Sequence, residues 1–178
     1  MFKAILGIAQ SMVIGFVRTS RLLLQPVSWS DIADIARLKA DGGAFGQMLG
    51  GVRNHQQTES DMADDITFWA RYRVGMFTIR ENNRFIGITG VHVRPDKRGI
   101  GLRFALFPWA RGRGLAREAA NAALNAAHEA GITRIVGVTP ENNYPSRVIL
   151  RSIGMSLCEK FIRDGQIVEV YESLRSKN

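Results

Sequence analysis

Cysteine is nearly absent from this chain of 178 residues. Cys158 stands alone, which excludes an internal disulfide and a multi-thiolate zinc site. Histidine is almost as scarce. His55, His92 and His128 are scattered with no H-x-x-x-H spacing, so no metal is expected. Residues 1–17 are apolar but carry Lys3 and are interrupted by Gln10 and Ser11. They fall short of the roughly 20 apolar residues of a spanning helix, so no membrane span is expected. They lack a small-x-small cleavage site followed by disulfide-type sequence, which argues against a signal peptide. They read as an apolar N-terminal extension, packed or swapped, ahead of a domain over 18–175. The expected setting is intracellular, reduced and cytoplasmic.

With 46% hydrophobic and 22% charged residues, the chain can bury a core and is not mostly disordered. Its net charge of +8 and pI near 10.4 call for an anionic partner. Residues 94–117 hold Arg94, Lys97, Arg98, Arg103, Arg111, Arg113 and Arg117 against Asp96 alone, which is +6 of that total. Nucleic acid, a membrane surface and a polyphosphate are the open classes. Concentration of the charge around a glycine-rich turn favours a phosphate ligand, and no specific nucleic acid is expected.

The patterning is mixed α/β. Arg21–Gln25 reads as a strand ended by Pro26, and a helical run follows from Asp31 with Ile32, Ile35 and Ala36 in period. Residues 41–58, with five glycines, read as a mobile connection, and residues 59–72 as a helix whose Phe68 and Trp69 pack inward. Strands are expected at 75–80, 84–93 and 100–106. A long helix at 112–130 holds eight alanines and stops at Gly131, so it can lie close to a sheet. A strand at 135–139, a helix at 145–153 and a hairpin at 156–172 turning on Asp164–Gly165 complete the order.

The segment that carries chemistry is Leu102–Glu118. A strand runs into Arg111-Gly112-Arg113-Gly114-Leu115-Ala116, which opens the alanine-rich helix. A helix start exposes about four unpaired N–H groups and a partial positive charge, and two glycines let a ligand approach closely. That combination binds phosphate. The P-loop pattern G-x-x-x-x-G-K-[ST] is absent. The dinucleotide pattern G-x-G-x-x-G fails at Arg117, and Glu141 lies too far along to be its ribose acid.

The hexad Arg111–Ala116 is similar to the acetyl-CoA signature [RQ]-x-x-G-x-[GA] in a tight R-G-x-G-x-A form. About 30 residues on, Asn143-Tyr144-Pro145-Ser146 and Ile153-Gly154-Met155 resemble the N-x-x-S…G-F segment of the GNAT superfamily of N-acetyltransferases, with Met155 in place of the aromatic. Arg21–Pro26 resembles that family's R-L-x-L-R-P opening. Leu49–Gly51 and Gly87–His92 match stretches of its ribosomal-protein N-terminal (Rim-type) branch.

This resemblance spans roughly 18–175 and implies an α/β (α+β) GNAT fold, with a mixed central sheet of about seven strands flanked by helices. It implies acetyl-CoA as co-substrate and an amine acceptor, a peptide or protein N-terminus or a small molecule. A homodimer is left open. By resemblance, Ile100–Leu106 and Ile135–Thr139 are the central parallel strands that part in a V. The backbone of Arg111, Gly112, Arg113, Gly114, Leu115 and Ala116 would hold the pyrophosphate. The backbone of Phe104, Ala105 and Leu106 would hold the pantetheine arm and polarise the thioester carbonyl. Asn143 and Ser146 would sit beside the pantetheine and sulfur, with Ser146 hydrogen-bonding the departing thiolate. Arg147 would lie near a phosphate or on the surface.

The strand carboxylate that many relatives carry falls at about Gly99 here, and their acidic tyrosine at Leu150. His92 is the candidate base, working through water, with Glu141 and Glu169 as further options. A non-catalytic CoA-binding sensor or scaffold of the same fold is the alternative reading.

Overall fold

The computed structural model describes residues 15–176. Residues 1–14, the bulk of the expected extension, lie outside them. The elements follow the order β1 (Val17–Arg18), β2 (Leu23–Pro26), α1 (Ile32–Ala40), α2 (Gly42–Phe45), α3 (His55–Tyr72), β3 (Met76–Glu81) and β4 (Arg84–Val93). Then come β5 (Ile100–Leu106), α4 (Leu115–Glu129), β6 (Arg134–Pro140), α5 (Tyr144–Ser152), β7 (Ser156–Arg163) and β8 (Gln166–Leu174).

Eight strands form one sheet in the order β1-β2-β3-β4-β5-β6-β8-β7. The expected seven gain one, because Val17 and Arg18 pair back on Leu24 and Leu23. Two residues carry no readable alternation. What fixes them is remote: Glu118 in the first turn of α4 accepts hydrogen bonds from the Thr19 and Ser20 hydroxyls and from Arg21.

The glycine-rich stretch at 41–51 is more structured than its composition suggests. Asp41 caps α2 by accepting from the Ala44 N–H, and Phe45 is fully buried. Arg53 then ties the following loop with hydrogen bonds to the carbonyls of Gly51 and Leu49. The third helix starts at His55 rather than 59, because Asn54 and Gln57 form a reciprocal capping box.

Helix α4 buries Ala119, Ala120, Ala123 and Ala127 against β4 and β5, so its axis can approach the sheet closely. On the other face, α1, α2 and α3 pack Ile35, Leu38, Phe45 and Met62 over Met76, Ile88 and Ala105. All pairings are antiparallel except β5 with β6, which are parallel and meet only at Gly101 and Val136. Beyond that point the two strands separate.

Candidate active site

The separation of β5 and β6 opens a cleft of about 380 Å³. Phe104 lines it from β5, Thr139 from β6, Asn143 and Ser146 from α5, His92 from β4, and the loop 46–50 from the far side. Four residues singled out in the sequence, His92, Phe104, Asn143 and Ser146, therefore come together. Ala105 and Leu106 are buried in the sheet, one on each face, and do not line the cleft.

Leu150 lines the cleft at the position where the resemblance placed an acidic tyrosine. It is buried from α5 against Gly137, where an added Cβ would lie 2.5 Å from Leu150 Cδ2. Asn143 is the N-cap of α5, its Oδ1 accepting the Ser146 N–H at 3.3 Å. Ser146 is half-buried, and its hydroxyl makes no hydrogen bond among the described residues.

His92 is 8% exposed, with Nδ1 3.0 Å from the Val93 carbonyl. A carbonyl only accepts, so Nδ1 carries the proton and Nε2 keeps its lone pair. Burial, reinforced by Arg103 and Arg94, holds the imidazole well below its ordinary pKa. It is neutral at physiological pH.

The two other carboxylates considered as bases are both engaged. Glu169 is fully buried, accepts hydrogen bonds from Tyr171 Oη at 2.5 Å and Arg147 Nε at 2.8 Å, and is ion-paired with Lys160 Nζ at 3.0 Å. Burial alone would raise its pKa, but these donors outweigh it and hold the group below the carboxylate range. Glu141 pairs with Lys160 at 2.7 Å. Arg147 is thereby a strut between α5 and β8.

The hexad lies at the start of α4, past the end of β5. Gly112 and Gly114 have φ of 81° and 76°, and an added Cβ at Gly112 meets only open space. The backbone N–H groups from Gly112 to Arg117 have no acceptor among the described residues, whereas Glu118 N–H already bonds Gly114. The loop is exposed except for Leu115 and Ala116. Its arginines are less free than the sequence suggests. Arg113 makes a two-pronged pair with Glu81 at 2.7 and 2.8 Å, and Arg111 donates to the carbonyls of Gly43 and Leu106. Arg117 remains exposed and without an ion-pair partner among the described residues. The basic cluster as a whole is dispersed, with Arg94 on Asp96 and Arg98 on Glu159.

One site residue escaped the sequence reading. Thr139 is buried at the cleft with its hydroxyl unpartnered, and nothing in its neighbours along the chain signals this. A free hydroxyl on α5 and an unpaired row of N–H groups at the start of α4 suit a long, polar, anionic ligand. Among the described residues no group of three or more side chains could hold a metal ion, and no helix is long and apolar enough to cross a membrane.

The acetyltransferase (GNAT) domain model matches residues 21–156, and the chain belongs to that family. Among solved structures it is similar to an acetyltransferase from Agrobacterium tumefaciens str. C58, with a TM-score of 0.76 and 25% identity over 90% of this chain and 94% of that one. It is also similar to a GNAT-family acetyltransferase from Bacillus anthracis, with a TM-score of 0.74 and 20% identity over 90% and 98%. A third similar structure is the ribosomal L7/L12 alpha-N-protein acetyltransferase RimL in complex with coenzyme A, with a TM-score of 0.73 and 18% identity over 89% and 97%. No curated protein sequence matches the chain.

Proposed function

We propose that this protein transfers acetyl from acetyl-CoA directly to a primary amine, either a peptide or protein N-terminus or a small molecule. The observation that carries the reading is the parting of β5 from β6, with Phe104, Thr139, Asn143, Ser146 and His92 around one cleft. Similarity to a ribosomal-protein N-terminal acetyltransferase captured with coenzyme A supports the Rim-type side of the family and the coenzyme.

Bound acetyl-CoA would supply an activated acetyl thioester. The N–H groups of residues 112–117 receive its pyrophosphate, aided by the positive end of α4. The edge of β5 near Phe104, left without a strand partner where β6 departs, receives the amide-bearing arm. Ser146 Oγ donates to the departing sulfur. His92 Nε2 takes up the proton that the acceptor nitrogen sheds. As a weak base it does this best once nitrogen is bonding to carbon and its proton has become acidic. An α-amine, with a pKa of about 7.7–8.0, reaches the neutral form with little help. That favours such an acceptor over a lysine side chain.

The direct test is thiol release from acetyl-CoA in the presence of tripeptides with free or N-acetylated termini and of simple alkylamines. Turnover with free amines and none with blocked ones is expected. Coenzyme binding without turnover across the panel would instead favour the sensor or scaffold reading.

A further inference from the structure

A second cavity of about 470 Å³ lies against the α3 side of the sheet. Asp65, Phe68 and Tyr72 of α3 wall it, together with Arg103 of β5 and His92 of β4. His92, Arg94 and Arg103 border this cavity and the cleft between β5 and β6 alike.

Three of the charges lining it are matched. Asp61 holds Lys39 Nζ at 2.8 Å and Arg53 Nε at 3.5 Å, and Arg94 holds Asp96 at 2.6 Å. Two are not. Asp65 is 7% exposed and makes no hydrogen bond and no ion pair within 4.0 Å among the described residues. Arg103 likewise has no carboxylate within that distance, although it faces Phe45 at 5.6 Å. Neither group is sealed, since neither appears among the fully buried unpartnered atoms, so both reach the cavity.

A buried carboxylate and a nearby guanidinium left unjoined are expensive to keep, because each has given up water without gaining a partner. Burial outweighs the opposing pull of Lys39 and Arg103 and raises the Asp65 carboxyl to about 6, which still leaves it an anion at neutral pH. One anion and one cation, unpaired in the same cavity, are complementary to a ligand carrying an ammonium and a carboxylate together. The packed Phe68–Tyr72 pair, ring centroids 4.4 Å apart, gives the cavity an apolar wall for a ligand side chain to lie against.

We propose that this cavity is the acceptor site and that it takes a free zwitterionic amino acid, its ammonium on Asp65 and its carboxylate on Arg103. The proposal rests on the transferase reading above. Before transfer the ammonium passes one proton to Asp65, and the freed amine turns towards His92, which borders both cavities; there nitrogen bonds to the acetyl carbon and gives its second proton to His92 while the carbon–sulfur bond breaks and the departing sulfur is protonated.

The test follows the ¹³C resonance of the Asp65 carboxylate, assigned by its absence from Asp65→Asn, in full-length protein with and without CoA. The probe is L-leucine. The comparisons are 3-methylbutylamine, which has the ammonium alone, N-acetyl-L-leucine, which has the carboxylate alone, and potassium chloride at equal ionic strength. L-Leucine should give a saturable shift with a dissociation constant on the order of 1 mM or tighter. Each single-charge analogue should bind at least about tenfold more weakly, by loss of one charge-assisted contact. Arg103→Gln should abolish the preference for L-leucine over the amine. A linear response, or equal binding of 3-methylbutylamine, would overturn the proposal. Calorimetric binding of acetyl-CoA is measured on the same sample. Its failure would count against the transferase reading, whereas its success without a leucine response would count against the acceptor site alone.

Discussion

His92 and Ser146 divide the proton chemistry between them, and each makes a distinct demand on experiment. A buried imidazole held well below its usual pKa stays neutral across the working range, so it contributes no inflection near 6.5. With a peptide acceptor, kcat/KM should rise with pH and level off above about 8, following the α-amine. His92→Gln should lower that plateau by about 100-fold without moving the midpoint. A wild-type inflection near 6.5 that disappears in His92→Gln would contradict a buried neutral imidazole. For Ser146→Ala, kcat should fall by about 10–100-fold while acetyl-CoA affinity changes less than about twofold. An unchanged rate would remove the hydroxyl from the mechanism. Asp65 makes a claim on stability. Its folded pKa of about 6 lies above the ordinary 3.8, so the folded state holds its proton more tightly than the unfolded one. Stability therefore falls as pH rises from about 4 to about 6, and the full penalty is present above that. Asp65→Asn should be more stable than wild type by roughly 2–3 kcal/mol at pH 7, with the gap closing below pH 4, read from urea midpoints. Equal stability at pH 7 would show that the carboxylate bears no such cost.

At the scale of elements, the start of α4 decides whether the coenzyme is held. Gly114 is the N-cap, in a left-handed conformation, and offers no side-chain oxygen to the helix N–H groups. Gly114→Val would force a β-branched residue to φ near 76°, costing about 1–2 kcal/mol of stability and placing a side chain over the bare N–H groups. Loss of acetyl-CoA binding with a cooperative unfolding transition retained is the expected outcome. Retained affinity would move the phosphate site elsewhere. This element was readable from residue order because two glycines between a strand and an alanine-rich run have few other uses. The start of α3 was readable as well, since Asn54 and Gln57 sit at capping-box spacing, but the acids from Glu59 onward drew the boundary four residues late. The loop 46–51 was not readable. Its glycines permit many conformations, and Arg53, with Arg111 on the helix before it, selects the one that closes the cleft.

Across the whole molecule, what could be read was whatever is local, and what could not was whichever distant charges meet. Helix and strand periods placed nearly every element, and the spacing from the hexad to Asn143 and Ser146 marked one wall of the cleft. Lys39 falls in the helical period with Ile32, Ile35 and Ala36, but no local pattern shows that it is fully buried on Asp61, a partner 22 positions away on α3. Arg103 counted among seven basic residues facing an anion, and the fold turns it inward towards Asp65 instead. Three of the seven basic residues at 94–117, Arg94, Arg98 and Arg113, are held in internal ion pairs, and the case for a coenzyme rests on backbone geometry. The measurement that bears most directly on this is calorimetric titration with acetyl-CoA, with NADH and a short DNA duplex alongside. Saturable one-to-one binding of acetyl-CoA, lost in Gly114→Val, is expected, with no comparable heat from the other two. Absence of acetyl-CoA binding, or binding that Gly114→Val leaves intact, would contradict it.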